Sequence, residues 1–161
     1  MPGIRQRAIE GLRPGDTFTV RRTFTEEATR RFGDLSRDHN PVHYDPRFAS
    51  AKGFPGLICH GLLVGSLLTE IGGQIGWLAT GMEFRFVKPV LFGDTVTCRF
   101  TLLELDERGR ARGSAVFSNQ HGTTVIEATL AGRVPAEAER AILAAIAAEG
   151  TGPAREPEDE S

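Results

Sequence analysis

The segment Asp38-His39-Asn40-Pro41-Val42-His43 gathers a carboxylic acid, two imidazoles and an amide at one place in the chain. A carboxylate and a histidine can both exchange protons near neutral pH when burial shifts them. Facing one water molecule, the two make a general acid–base pair. Pro41 adds rigidity: proline fixes its own φ and disfavours helical geometry in the residue before it. A fixed bend is how a loop holds side chains in register. Spacing alone favours a plainer account, with Asp38 capping a turn and His43 on a loop. A second stretch, Cys59-His60-Gly61-Leu62-Leu63, leads into an apolar run. If a helix opens at Gly61, its first N–H groups lack internal partners and can receive an anion or a developing oxyanion. Glycine admits close approach, so a polarised carbonyl oxygen could be held there. A glycine that merely enters a helix explains the same residue.

The elements that would position these groups read as follows. Thr17 to Phe24 alternates as a strand. Thr25 caps a helix whose first turn carries Glu26 and Glu27, with Ala28, Phe32 and Leu35 at helical spacing. Asp45-Pro46 opens a short helical turn. Gly61 to about Ile71 is apolar nearly all round, which suits a buried helix, and Gly72-Gly73 is expected to stop or loosen it. Strands follow at Met82 to Val87, Thr95 to Leu102, Ala111 to Gln120 and Thr123 to Val134, with turns at Asp106 to Gly109 and His121-Gly122, and the hairpin order predicts an antiparallel sheet. Residues 1–15 read as an irregular lead-in, and Ala136 to Ala148 as an amphipathic helix with Ile142, Leu143 and Ile146 on one side. A helix apolar on all sides needs a sheet around it, which gives an α+β domain: a curved antiparallel sheet wrapped round a central helix. The expected domain is 1–148, and the acidic tail 149–161 is expected to be disordered.

Composition excludes several classes. The chain has 161 residues, 40% hydrophobic and 25% charged, a soluble globular profile long enough for one core. A net charge of -2 offers no field for nucleic acid. Cys59 and Cys98 form no CxxC pair, so no metal or redox site is expected, and both read as small buried side chains. The longest apolar stretch is too short for a membrane span, and Met1 to Arg5 starts no signal peptide, so the expected location is cytoplasmic.

Together these stretches resemble the MaoC-like family of hot-dog proteins, and within it the (R)-specific enoyl-CoA hydratases. The likeness rests on Asp38-x-Asn40-Pro41-Val42-His43 with Ala49, on His60-Gly61-Leu62 opening the long helix, and on Phe86-Val87-Lys88-Pro89-Val90-Leu91-Phe92-Gly93-Asp94. It spans about residues 8 to 134. The resemblance implies a hot-dog fold and syn addition of water to a trans-2-enoyl thioester, or the reverse dehydration. It implies Asp38 as the main acid/base and His43 as its partner, with the Gly61 N–H on the thioester oxygen. Asn40, His60 and Thr69 are implied as supporting or substrate-binding residues. No cofactor is implied, since coenzyme A belongs to the substrate. The expected partners are an acyl-CoA or acyl carrier protein thioester and a second copy of the chain, because a single sheet leaves a strand edge to cover. A phosphate contact from Lys88 or Arg85 fits the same picture. Two departures stand out: Arg37 replaces the glycine that usually precedes the aspartate, and Gly76 to Gly81 differs from the usual link between helix and strand. Trp77 in that link either shapes an acyl tunnel or simply packs. Two other functions fit the fold: a thioesterase using Glu70 on the central helix, and a non-catalytic acyl-CoA binding module.

Overall fold

The alternation read from the second half of the chain becomes the sheet. In the computed structural model, which describes residues 3–150, five strands pair antiparallel. They are β1 (Thr17–Thr23), β2 (Leu78–Phe86), β3 (Thr95–Leu105), β4 (Arg110–Ser118) and β5 (Thr124–Arg133), in the order β1-β3-β4-β5-β2. Val96, Cys98, Phe100 and Leu102 of β3 all point into the core, as the period of two requires. The β3–β4 and β4–β5 connections are hairpins, but β2 and β3 are not neighbours. β2 runs at the far edge beside β5, and residues 87–94 return the chain across to β3. Hydropathy gives each strand its faces and not its place in the sheet, so this crossover was not visible in the sequence.

The apolar run does form the central helix, in two pieces. α4 (Gly61–Gly65) and α5 (Leu67–Ile75) meet at Ser66, whose hydroxyl donates to the Leu63 carbonyl at 2.6 Å. Gly72 and Gly73 do not stop it. Their weak helix propensity is outweighed by burial of Leu67, Leu68, Ile71 and Ile75, and the helix ends at Gly76, where φ is 79°. The sheet packs its apolar face onto this helix, and the core joins Leu67, Leu68 and Ile71 with Phe100, Phe117 and Ile126. This is the α+β hot-dog arrangement.

Three local expectations fail. Residues 1–15 contain a helix, α1 (Ile4–Glu10), which buries Ala8 and packs against α5 and against α6 (Glu137–Glu149). Seven polar-rich residues give too weak a period to read, and packing decides them. Leu35, on α2 (Glu26–Ser36), is 84% exposed, and Ile142 on α6 is 59% exposed, so neither faces the core. β2 begins at Leu78, four residues before the expected Met82. Thr25 caps α2 as expected, its hydroxyl accepting from the Ala28 N–H at 3.1 Å. Both cysteines are buried free thiols, and burial pushes them up to about 11 and about 12. No described helix is long and apolar enough to cross a membrane. Most of the expected acidic tail, residues 151–161, lies outside the described residues.

Candidate active site

The bend after α2 is held by short side chains bonding to nearby main chain. α2 ends at Arg37, whose φ of 59° and ψ of 24° are left-handed. A glycine would adopt this conformation without strain, so the usual glycine is replaced while the turn is kept. The Asp38 N–H donates to Ser36 Oγ at 3.2 Å, the Asn40 N–H to Asp38 Oδ1 at 3.2 Å, and the Val42 N–H to Asn40 Oδ1 at 3.2 Å. Asn40 thus caps the single 3₁₀ turn Pro41–His43, and Asp45 caps α3 (Pro46–Ala51) through the Arg47 N–H. The role of Asn40 in this structure is to set the loop; its side chain carries the turn.

The two histidines meet behind this bend. His43 Nδ1 lies 2.7 Å from the Ile58 carbonyl, which can only accept, so Nδ1 carries the proton and Nε2 is left with its lone pair. His60 Nε2 lies 2.9 Å from the Asp38 carbonyl and is therefore the protonated nitrogen of that ring. The rings stack, with centroids 3.8 Å apart and an interplanar angle of 29°. Asp38 Oδ2 stands 3.9 Å from His43 Nε2 and 3.9 Å from His60 Nε2, too far for a direct hydrogen bond. Both imidazoles are buried, while the Asp38 side chain is half exposed. Burial holds His43 below the ordinary histidine value. The Ile58 hydrogen bond and the Asp38 carboxylate pull it the other way without reversing the shift, and His60 adds to it.

Gly61 opens α4 as expected. Among the described residues nothing accepts from its N–H. A Cβ on Gly61 would stand 2.6 Å from Phe86 Cε1, so the ring of β2 lies directly against the helix mouth. Asp38, His43, His60, Gly61 and Phe86 all line one cavity of about 630 Å³. That is a ligand-sized volume, and the rest of its wall is mostly apolar: Phe32, Phe54, Ile58, Val64 and Ile126. Lys88 and Pro89 of the crossover complete it, and the crossover is pinned to the helix mouth by the Cys59 N–H donating to the Val90 carbonyl at 2.8 Å. Asp38, His43 and His60 each bring a potential metal-ligand atom within 4.8 Å of the others. The stack argues against a shared ion. An ion in the plane of one ring lies out of plane of the other, and His60 Nε2 is already engaged.

Other candidates stand elsewhere. Thr69 is exposed, its hydroxyl donates to the Ser66 carbonyl at 2.7 Å, and it does not line the cavity. Glu70 is ion-paired with Arg22 at 2.6 Å, outside the cavity. Trp77 packs edge-to-face on Phe100 at 5.6 Å and lies against Gly132, so its role is packing and not tunnel shaping. Arg85 is engaged by Glu127 at 3.3 Å. The sequence reading missed the Ile58 carbonyl, which has no sequence signal; Phe86 stood in the quoted family segment, but its place against the helix mouth was not read.

The chain matches the MaoC-like domain family over residues 13–125. The chain belongs to that family. Among curated MaoC-like relatives, the (R)-specific enoyl-CoA hydratase of Aeromonas caviae is 33% identical over 104 residues, 62% of this chain and 78% of that protein. The mitochondrial 3-hydroxyacyl-[acyl-carrier-protein] dehydratase of Arabidopsis thaliana is 32% identical over 87 residues. That match covers 53% of this chain and about half, 52%, of the plant protein. Among solved structures, the (R)-hydratase from A. caviae involved in PHA biosynthesis superposes with a TM-score of 0.72 at 29% identity, covering 78% of this chain and 99% of that one. The hot-dog fold is thereby shown, and hydratases and dehydratases of acyl thioesters surround this chain in its family.

Proposed function

We propose that this MaoC-like protein is an (R)-specific enoyl-CoA hydratase, or 3-hydroxyacyl-CoA dehydratase in reverse, and so a hydro-lyase. The observation that carries the reading is the 3.9 Å gap between Asp38 Oδ2 and His43 Nε2, opening on a cavity beside the free Gly61 N–H. A water about 2.8 Å from each atom spans that gap. Both atoms accept, so the water donates to both and turns a lone pair towards the substrate. The Gly61 N–H receives the thioester oxygen, and the enolate charge that builds there as the water oxygen bonds to the β-carbon is stabilised. His43 Nε2 takes the water proton and then delivers it to the α-carbon on the same face, which closes the balance and gives syn addition. This shifts weight from the sequence reading, which gave Asp38 the main acid/base role. His43 is the buried ring with a fixed tautomer, and the half-exposed Asp38 carboxylate orients the water and offsets the transient imidazolium charge.

The test is direct. Purified protein should deplete the conjugated enoyl absorbance of crotonyl-CoA and yield the (R)-3-hydroxyacyl product on chiral analysis. An (S) product, or no turnover across a panel of chain lengths, overturns the reading. The acid a thioesterase reading calls on, Glu70, is ion-paired with Arg22 and lies outside the cavity. We also infer a homodimer. Met82, Phe84 and Phe86 stand opposite the buried Leu130, Ala128 and Ile126 and so share their core-facing side, yet Met82 is 40% and Phe86 54% exposed. This chain's own helix meets them only at Gly61 and Gly65 and leaves Met82 and Phe86 largely uncovered, and a second copy supplies the missing cover. Sedimentation as a strict monomer at micromolar concentration contradicts it.

A further inference from the structure

We propose that His60 is the positioning residue of the Asp38–His43 pair, acting through both its Nε2–H and its ring face. The inference rests on the hydratase reading of the same site. His60 is 1% exposed, and its Nδ1 is buried without a hydrogen-bond partner. A stranded buried nitrogen disfavours folding, so stability alone does not call for an imidazole here. Phenylalanine would fill much the same space and could pack equally well against the tilted Phe32 ring, 5.1 Å away, and stack on His43. What the imidazole alone supplies is the Nε2–H that holds the Asp38 carbonyl at 2.9 Å.

That bond matters because the other bonds of Asp38, to Ser36 Oγ and from the Asn40 N–H, stay within the exposed bend, while this one ties it to the buried core. Its side chain is half exposed, and its neighbours on the loop are exposed. Arg37, before it, is in a left-handed conformation that needs support from its surroundings. One buried ring therefore ties the acid's main chain from below and presses its face on the base. It holds the 3.9 Å gap from both sides. The charged and titratable groups facing His43 are Asp38 from the bend, His60 from the helix mouth, Tyr44 from the following residue and Lys88 from the crossover wall of the cavity. His60 is the one stacked on the ring, and it contributes to holding His43 neutral.

The experiment uses the full chain as wild type, His60→Phe and His60→Gln. Long-range ¹H–¹⁵N spectra of the histidine rings read tautomer and titration whether or not the protein turns over crotonyl-CoA, so failure of the hydratase reading and failure of this one are separable. In the wild type, the spectra should show His60 as the Nε2–H tautomer and His43 as the Nδ1–H tautomer. His60→Phe should melt no lower than the wild type yet lose at least tenfold in kcat with KM changed less than threefold. His60→Gln, whose amide can donate to the same carbonyl, should recover part of kcat. Because the imidazole face is gone in both variants, the His43 titration should move upward and carry the acidic limb of the pH–rate profile with it. A His60 Nδ1–H tautomer in the wild type overturns the proposal without any variant. So does a folded His60→Phe with wild-type kcat and an unmoved His43 titration.

Discussion

Gly61→Ala separates stability from chemistry at the helix mouth. The new methyl carbon would lie 2.6 Å from Phe86 Cε1 and 2.8 Å from Cδ1, and ordinary contact begins at 3.4 Å, so the ring must retreat by the difference. Phe86 lines the cavity, and its ring can turn into that space. The folding penalty should therefore sit at the low end of overpacking, about 1 kcal/mol, a fall of ~2–4 °C in Tm for a chain of this size. Activity should suffer more. The methyl intrudes where the thioester oxygen must approach the Gly61 N–H, and a misplacement of about 1 Å at a reacting centre costs ~10²-fold in rate. Loss of one oxyanion donor is worth about 10²–10³ in kcat. The assays are crotonyl-CoA hydration and a thermal melt on the same preparation, with Gly61→Ala/Phe86→Ala as the companion. The double variant returns the room taken by the ring and should recover melting temperature, while the methyl still blocks the oxygen and kcat stays low. Gly61→Ala with wild-type kcat/KM would show that the helix mouth does not hold the carbonyl.

Three further outcomes are expected. Asp38→Asn keeps the turn, because its side-chain oxygen can still accept from the Asn40 N–H, and should lower kcat by about 10²–10⁴-fold with an unchanged melt; kinetics beside circular dichroism check it. Arg37→Gly relieves the left-handed residue and should raise stability by about 0.5–1 kcal/mol in urea unfolding, and a lower midpoint refutes the strain argument. The native His43 value is depressed below 6.5 by burial, so above that pH the ring is neutral in both states and contributes no pH dependence. As pH falls below 6.5 the unfolded chain binds a proton that the native site refuses, so stability declines until the native value is passed. His43 remains a free base over the same window, and kcat/KM should hold its plateau below pH 6.5; a midpoint at or above 6.5 contradicts this.

Side-chain pattern carried most of the fold and singled out several residues that the structure gathers round one cavity. The alternation in β3, the Thr25 cap and the apolar row of α5 are local signals, and each was readable. The order of strands was not, because Met82, Phe84 and Phe86 alternate in the same way whether β2 lies beside β3 or beside β5. Asp38, His43 and Gly61 were singled out by motif and proline, and the structure brings them to one cavity. The tautomer of His43 was not legible, since it depends on the Ile58 main-chain carbonyl, which every residue type carries alike. Thr69 was misplaced because the break at Ser66 gives its hydroxyl a local carbonyl to bond. α1 stayed hidden because its burial comes from α5 and α6, far away in sequence.

The crossover over residues 87–94 divides the molecule's labour. Asp38 and His43 arrive before the central helix, on a bend fixed by its own short side chains. Much of the opposite wall arrives after β2, on a segment anchored to the helix mouth through Cys59 and Val90. Exchanges at Val87 or Pro89 can thus widen or narrow the chamber while the proton-handling bend stays in place. A scaffold divided in this way can change the length of tail it accepts one residue at a time and keep the same chemistry throughout.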